Sequence, residues 1–350
     1  MDFLFLFFIS SGLFLGWSLG ASDASNIFGT AIATKMIRFK SAAIISSIFI
    51  IIGAVYAGAG GAATLGKLGS INTLAGAFMA ALSAAIAIYW SVKLSMPVST
   101  SQAIVGAIIG WNFYAGYPTD INILTQIVGT WIICPILAGI ISIVLYSLIQ
   151  IYCRRSCIHL IRRDHYTRVG LILAGAFGAY ALGANNIANV MGVFVPSSPL
   201  NSLELPLGLY LNKAQVLFLL GAIAISVGIF TYSQKVISTI GNNIIKMSPM
   251  MAFVVVASQA LVLFLFSSQD LYNFLQNHNL PTIPLVPVSS TQAVVGAVIG
   301  IGLARGANQI NWKILGKIAI SWILAPVISA LICYISLFFL QNVFNQVVYQ

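Results

Sequence analysis

Eight apolar stretches, each close to or above the length needed to cross a bilayer, constrain the fold of this chain more than any other feature. They lie near residues 3–20, 41–60, 71–92, 123–151, 170–182, 214–232, 251–266 and 318–340. Only 6% of the 350 residues are charged, whereas a soluble domain usually carries about 25%. The sequence therefore predicts an all-α polytopic membrane protein, with no linker long enough to hold a soluble domain.

Landmarks of the first half of the chain recur in the same order in the second half. Residues 20–26, a Gly-Ala motif that contains Asp23, match residues 183–189, which contain Asn186. Residues 97–107, which begin Pro-Val-Ser, match residues 287–297. Two further pairs are Trp131 and Pro135 with Trp322 and Pro326, and Thr64 and Gly66 with Thr239 and Gly241. We therefore predict two repeats, over 1–152 and 169–350, joined by a basic connector over 153–168.

The basic residues predict how the two repeats lie in the membrane, because Lys and Arg near the ends of spans favour the cytoplasm. They gather in five groups: Lys35, Arg38 and Lys40; Lys93; Arg154, Arg155, Arg162, Arg163 and Arg168; Lys235 and Lys246; and Arg305, Lys313 and Lys317. Only Lys67 and Lys213 fall outside these groups, so 14 of the 16 basic residues lie on one side. The pattern predicts repeats of inverted topology, a cytoplasmic connector and both termini outside. About five crossings per repeat fit the loops, although the Pro-Val-Ser segments can also form re-entrant hairpins.

Asp23 is the only acidic residue within an apolar stretch, and small or polar residues surround it. A carboxylate in a bilayer costs about 2.5–3.5 kcal/mol on insertion scales, so it needs a cationic or proton partner. Small residues also allow a helix to unwind and offer carbonyl oxygens, which hard cations prefer as ligands. The two Gly-Ala motifs therefore predict a cation site. Its candidate ligands are Ser22, Asp23, Asn26, Asn185, Asn186 and Asn189.

Each Pro-Val-Ser motif places a proline and then three hydroxyl residues directly before a stretch rich in Ala, Val and Gly. Hydroxyls and amide N–H groups at the start of a helix favour an anion. The candidate substrate-binding residues are Ser99, Thr100, Ser101, Gln102, Ser289, Ser290, Thr291 and Gln292. Together the four motifs predict a site near the middle of the membrane that binds an oxyanion beside one or more cations, built from broken helices.

A purely structural role is the alternative to a binding role for these motifs. Small residues and hydroxyls also let transmembrane helices pack closely, and it is the duplication that favours a binding site. Thr64 and Thr239 are expected to serve turn structure. Residues 61–67 imitate a phosphate-binding loop, but Leu68 stands where Ser or Thr is needed, and no strand precedes the segment.

Three other classes of site or protein are disfavoured. Cys153, Cys157 and His159 lack a fourth ligand for zinc. The net charge of +10 is spread over loops and does not indicate a nucleic-acid partner. An enzyme is not expected, because no second acid accompanies Asp23 and all three histidines lie in predicted loops.

Several segments resemble the inorganic phosphate transporter family, called PiT or Pho-4. They are residues 20–30, which read Gly-Ala-Ser-Asp-Ala-Ser-Asn-Ile-Phe-Gly-Thr, both Pro-Val-Ser segments, residues 236–241 before 247–249, and residues 311–313 before Trp322. The resemblance covers essentially the whole chain. It implies an inverted-repeat carrier, often a homodimer, that takes up phosphate with sodium or protons. Carried over by position, it implies sodium at Asp23, Asn26, Asn186 and Asn189, and phosphate at the hydroxyl motifs.

The chain departs from the family pattern in three ways. Asn186 stands where the second motif usually has Asp, which removes one negative charge and could lower the number or affinity of bound cations. Ser22 replaces the usual Asn of the first motif, which shortens one ligand. Gln102 and Gln292 replace a histidine, so a histidine proton relay is excluded at these positions.

These observations predict a symporter that imports inorganic phosphate across the cytoplasmic (inner) membrane by alternating access. Sodium is favoured as the coupling ion, with a proton as the alternative, and no other cofactor is expected. A sulfate permease of the same fold is the main competing function, because sulfate and phosphate are both tetrahedral oxyanions. A passive anion channel is a third hypothesis, but the chain offers few polar residues to line a wide pore.

Overall fold

The structure is a computed structural model that describes residues 3–69, 71–93, 98–156, 159–205, 209–240, 247–307 and 310–350. Some residues used above lie outside this part of the chain. They are Pro97, Cys157, Gly241 and Lys246, together with the side chains of Lys235 and Thr239. The expectations that rest on them stay predictions.

Thirteen α-helices make up most of the described residues. In the first half these are α1 (Phe3–Ser22), α2 (Ala24–Ala33), α3 (Phe39–Ala57), α4 (Ala59–Leu68), α5 (Leu74–Lys93), α6 (Thr100–Ala115) and α7 (Ile121–Arg155). In the second half they are α8 (Leu160–Met191), α9 (Lys213–Ile240), α10 (Pro249–Ser267), α11 (Gln269–Asn277), α12 (Ser290–Ala304) and α13 (Trp312–Asn342). Two short antiparallel strands, β1 (Leu203–Leu205) and β2 (Leu209–Leu211), precede α9, with Leu203 opposite Leu211.

Eight helical segments of the described chain are long and apolar enough to cross a membrane, with α1 and α2 counted as one. They coincide with the eight apolar stretches of the sequence, which confirms the all-α polytopic fold. The helices α6 and α12 contain 16 and 15 residues. At 1.5 Å per residue they reach only about 22–24 Å, short of a hydrocarbon core of about 30 Å. Five crossings per half would require these two shorter helices to cross as well.

The two halves of the chain are interleaved and do not form separate bodies. Helix α1 packs on α9, as its counterpart α8 packs on α3; likewise α6 packs on α13, as α12 packs on α7. Matched glycines lie at matched contacts, because Gly20 touches the backbone of Ile225 and Gly183 touches that of Ile50. The duplicated landmarks of the sequence thus occupy duplicated packing positions. The inverted orientation of the halves in a membrane stays a prediction.

The segment that the sequence predicts as a basic connector is mostly helical. Helix α7 continues to Arg155 and α8 begins at Leu160, so most of residues 153–168 extend these two helices. Arg168 and Asp164 form the one ion pair found among the described residues, at 3.7 Å and largely exposed. Such a pair contributes about 0–1 kcal/mol. No other basic side chain among the described residues of this segment forms an ion pair.

Candidate binding site

The four motifs meet inside the helix bundle. The first Gly-Ala motif lies at the junction of α1 and α2, the second lies near the end of α8, and the Pro-Val-Ser motifs directly precede α6 and α12. All 14 predicted ligands are buried: Ser22, Asp23, Asn26, Ser99, Thr100, Ser101, Gln102, Asn185, Asn186, Asn189, Ser289, Ser290, Thr291 and Gln292. This gathers polar side chains from both halves in the apolar interior.

The Gly-Ala motifs remain helical, contrary to the expectation that they unwind. Only Asp23 interrupts the helix between α1 and α2, and its φ of −79° and ψ of −33° are still right-handed helical values. Residues 183–189 lie within the uninterrupted helix α8. The small residues serve close packing, as the contact between Gly183 and Ile50 illustrates. The expectation of carbonyl ligands from unwound helix is therefore wrong for residues 183–189, and at the interruption at Asp23 it stays a prediction.

The carboxylate of Asp23 contacts hydroxyls of both Pro-Val-Ser motifs. Thr100 Oγ1 donates to Asp23 Oδ2 at 2.9 Å, and Thr291 Oγ1 lies 3.4 Å from Oδ1. Ser22 Oγ lies 3.4 Å from the same Oδ1. Asp23 is 2% exposed, and no Lys or Arg of the described chain forms an ion pair with it. Because neutral hydroxyls do not cancel a buried charge, the site favours a cation or a proton beside Asp23.

Three asparagines of the second Gly-Ala motif form a connected network. Asn185 Oδ1 accepts from the Val288 amide at 2.9 Å, and Asn185 Nδ2 donates to the Val288 carbonyl at 2.7 Å. Asn186 Oδ1 accepts from Asn185 Nδ2 at 2.9 Å and from Asn189 Nδ2 at 3.0 Å. Asn189 Nδ2 also lies 2.8 Å from Ser101 Oγ. The network fixes the extended backbone before α12 against α8.

Each Gly-Ala motif contacts the Pro-Val-Ser motif of the other half. Asn26 Nδ2 lies 3.3 Å from Thr291 Oγ1, which matches the contact of Asn189 with Ser101. Thr291 Oγ1 donates to the Val98 carbonyl at 3.2 Å, and Ser101 Oγ donates to the Val288 carbonyl at 3.1 Å. The residues in the two sets of contacts are counterparts in the repeat: Asn26 corresponds to Asn189, Thr291 to Ser101, and Val98 to Val288. The two halves therefore build the site by the same contacts.

One side chain breaks this symmetry. Ser22, which matches Asn185, donates to the Ser18 carbonyl of its own helix at 2.9 Å. Its side chain is too short to reproduce the double hydrogen bond by which Asn185 holds Val288. The departure from the family pattern at Ser22 thus replaces an amide, which donates and accepts through two atoms, with a single hydroxyl.

Ser99 and Ser289 cap the two helices that begin at the hydroxyl motifs. Ser99 Oγ accepts from the Gln102 amide at 3.3 Å, and Ser289 Oγ accepts from the Gln292 amide at 3.2 Å. The spacing Ser-x-x-Gln is a helix-start signature that predicts this role from the sequence. A capping hydroxyl keeps its own proton, and the first helical amides have no partner within the helix. Both kinds of donor can still bind an anion.

Four buried side-chain amide atoms of the Asn and Gln residues in the site have no hydrogen-bond partner in the described part of the chain. They are Asn186 Nδ2, Asn189 Oδ1, Gln102 Oε1 and Gln292 Oε1. Buried polar atoms are rarely left unpaired, and a bound ion, water or ligand is a common explanation. Three of these atoms are oxygens suited to a cation or a protonated ligand, whereas Asn186 Nδ2 is a donor suited to an anion. The site therefore presents both kinds of chemistry.

The structure adds contacts that the motifs did not identify. The backbones of Val98 and Val288 accept hydrogen bonds across the site, and no property of a valine side chain signals this role. Thr64 lies within α4, and its Oγ1 donates to the Leu285 carbonyl at 2.6 Å. The prediction that Thr64 serves turn structure is wrong, because its hydroxyl connects α4 to the segment that leads to Val288.

A family profile and individual relatives both match this sequence over nearly the whole chain. The sequence profile described as the Phosphate transporter family matches residues 19–333 and 279–349. A protein of Methanocaldococcus jannaschii that carries the provisional name of phosphate permease is 28% identical over 323 residues, which are 92% of this chain and 93% of the relative. A relative of the same provisional name from Thermococcus kodakarensis is 26% identical over 407 aligned residues, covering 95% of this chain and 96% of the relative.

One solved structure has a similar fold. It is described as the sodium-dependent phosphate transporter, and it superimposes with a TM-score of 0.76 at 22% sequence identity. The alignment covers 96% of this chain and 100% of the solved chain.

Proposed function

Because this chain belongs to the phosphate transporter family, we propose that it is a symporter that carries inorganic phosphate with a cation by alternating access. The family is one of transporters and not of enzymes. The observation that carries the proposal is the contact of one buried carboxylate, Asp23, with hydroxyls from both halves of the chain. A cation at Asp23 would draw these segments together and offset the charge of an oxyanion bound next to it.

The donors around Asp23 support an oxyanion as the second ligand. Asn186 was assigned to the cation by its position in the motif, but its oxygen already accepts two N–H groups. Its unpaired Nδ2 therefore favours the substrate. The hydroxyl protons of Ser99 and Ser289 and the first amides of α6 and α12 supply further donors. Asn189 Oδ1 stays a cation ligand in this proposal, beside Asp23 and Asn26.

Sodium is the coupling ion that we favour. The solved structure of similar fold is described as sodium-dependent, and carboxylate and amide oxygens suit a hard monovalent cation. A proton on Asp23 is the alternative. With Asn at position 186, only one carboxylate is available at the site, which favours fewer coupled cations than a site with two acids.

Phosphate is favoured over sulfate for a chemical reason. A protonated phosphate oxygen can donate a hydrogen bond to Asp23, whereas sulfate at neutral pH has no proton to donate. The amides and hydroxyls alone would accept either anion. A passive channel is disfavoured because every predicted ligand is buried.

Uptake of radiolabelled phosphate into proteoliposomes tests the proposed function directly. We expect an inward sodium gradient at fixed pH to stimulate uptake, and excess sulfate to leave the rate nearly unchanged. Empty liposomes and a gradient of potassium in place of sodium are the controls. Uptake that does not depend on sodium but depends on a pH gradient would identify the proton as the coupling ion. Strong suppression by sulfate would support a sulfate permease instead.

Removal of the capping hydroxyls is expected to weaken phosphate binding. In a Ser99→Ala, Ser289→Ala double variant each helix loses a cap worth about 1 kcal/mol, and the site loses two hydroxyl donors. We expect the half-saturation concentration for phosphate to rise roughly tenfold, with a smaller change in maximal rate. Ser202→Ala, at an exposed position away from the site, is the control. An unchanged half-saturation concentration would contradict the placement of these hydroxyls at the substrate.

A homodimer and external termini complete the proposal. Helices α7 and α13 expose long rows of Ile, Leu, Val and Phe, which suit lipid or a second copy of the chain. The distribution of Lys and Arg supports a cytoplasmic position of the connector, and the location proposed for the protein is the cytoplasmic membrane.

A further inference from the structure

A polar cavity lies next to the binding site, on the other side of helix α4. Its volume is about 520 Å³, and its walls come from α4, α7, α11 and the segment before α12. Six polar side chains line it: Thr64, Lys67, Gln126, Gln269, Tyr272 and Thr282. None of these residues belongs to the four motifs.

Lys67 gives this cavity a positive charge. It is exposed, and it makes no ion pair within the described part of the chain. The acid nearest in sequence to the lining residues, Asp270, lines the adjoining cavity together with Tyr180. Lys67 is also one of only two basic residues that the sequence places on the outer side. An unpaired ammonium among neutral hydrogen-bonding groups attracts anions and not cations.

Helix α4 lies between this cavity and the binding site along Gly61. A methyl group added at Gly61 would lie 3.1 Å from Ala188 Cβ, 3.7 Å from the Asn185 carbonyl and 3.9 Å from Pro287 Cδ. On the cavity side of the same helix, Thr64 Oγ1 donates to the Leu285 carbonyl at 2.6 Å. The cavity thus touches the segment that leads, three residues later, to Val288 in the site.

We propose that this cavity, with Lys67 as its charged group, is an outer binding site where a tetrahedral oxyanion such as phosphate docks before it reaches Asp23. This inference rests on the proposed transport of an oxyanion. The polar side chains replace part of the hydration shell of the anion, and Lys67 raises the local concentration of anions at the entrance. Residues 61–67 imitate a phosphate-binding loop in sequence only, because they form a helix and contribute a side-chain charge and no backbone cradle.

Kinetics of uptake test the role of the charge. In Lys67→Gln we expect the half-saturation concentration for phosphate to rise roughly fivefold at low ionic strength, with a maximal rate within about twofold of wild type. The difference should shrink at high ionic strength, because salt screens an exposed charge. Lys67→Arg should behave like wild type. Lys213→Gln, which removes the other basic residue of the predicted outer side, should leave the half-saturation concentration unchanged.

Two kinetic results would overturn the inference. One is a half-saturation concentration for Lys67→Gln equal to that of wild type. The other is an equal rise for Lys213→Gln, which would make the effect one of general surface charge. Failure of the wild-type protein to take up phosphate would contradict the proposed function and not the cavity, which a binding measurement then tests separately.

Thiol labelling provides this binding measurement without transport. A Thr282→Cys variant, made with Cys153→Ser and Cys157→Ser, places a reactive thiol in the cavity beside Lys67, while Cys134 and Cys333 are buried. We expect inorganic phosphate to slow the reaction of the introduced thiol with an impermeant maleimide and to have no effect on a Ser202→Cys control. The protection should persist in Asp23→Asn and disappear in Lys67→Gln. Labelling of the Thr282→Cys variant that phosphate does not slow would refute the outer site.

Discussion

Replacement of Asp23 by Asn is expected to reduce cation-driven phosphate uptake by at least about a hundredfold, because loss of one partner of a buried charge contact costs roughly 3–5 kcal/mol. Asp23 is the one acid among the predicted ligands, and its carboxylate contacts hydroxyls of both Pro-Val-Ser motifs. The protein should still assemble. Asn has nearly the same shape, and the hydroxyl of Thr100 can rotate to accept from the new N–H group. Sodium-driven uptake and the elution profile in detergent measure the two effects.

Two further variants sharpen this result. Glu204→Gln makes the same chemical change at an exposed acid and should leave uptake unchanged. The exchange of Asp23→Asn with Asn186→Asp moves the single carboxylate to the matched position in the second half. If the halves are equivalent around the substrate, the exchange should recover part of the lost uptake. Near-normal uptake by Asp23→Asn alone would contradict the hypothesis that a coupled cation binds at Asp23.

Most of the fold could be predicted from the sequence because hydrophobicity and duplication are both strong signals. The eight apolar stretches became the eight long helices. The pairing of Trp131 and Pro135 with Trp322 and Pro326 anticipated that α7 and α13 occupy matching positions, each against a helix of the other half. The interleaving itself could not be predicted, because a linear repeat does not specify whether its copies pack side by side or exchange partners.

The sequence predicted that these buried polar residues come together, but it did not predict their individual contacts. Small residues at a motif allow either unwinding or close approach, and the contact of Gly183 with Ile50 shows that close approach is the outcome. The motif position of Asn186 suggested a cation ligand. However, its oxygen accepts hydrogen bonds from Asn185 and Asn189, and its Nδ2 has no partner in the described part of the chain. Such choices depend on side-chain geometry between segments far apart in the sequence, which a motif does not contain.

Addition of one methyl group at Gly296 is expected to disrupt the packing that positions the second Pro-Val-Ser motif. A Cβ atom there would overlap the carbonyl oxygen of Pro135 in α7, and a Cβ atom at Gly106 would overlap that of Pro326 in α13. The neighbouring atoms are backbone, so α12 and α7 would have to separate. Overpacking of this kind typically costs about 1–3 kcal/mol, and sometimes more. We expect Gly296→Ala to lower the thermal stability of the protein in detergent, and Gly106→Ala to do the same.

The two helices on the opposite side of these contacts, α7 and α13, provide matched controls for this prediction. Gly129 in α7 and Gly316 in α13 have no other atom within 4 Å of an added Cβ atom. Replacement of either by Ala should be neutral or stabilising by up to about 1 kcal/mol, because Ala favours a helix more than Gly does. Gly296→Ala should also weaken phosphate uptake, since Ser289 caps the same helix and its carbonyl lies 3.7 Å from Cys134 Sγ of α7. A Gly296→Ala protein as stable as Gly129→Ala would mean that α7 and α12 can separate without cost, and that the close contact between them does not fix the position of the Ser289 hydroxyl.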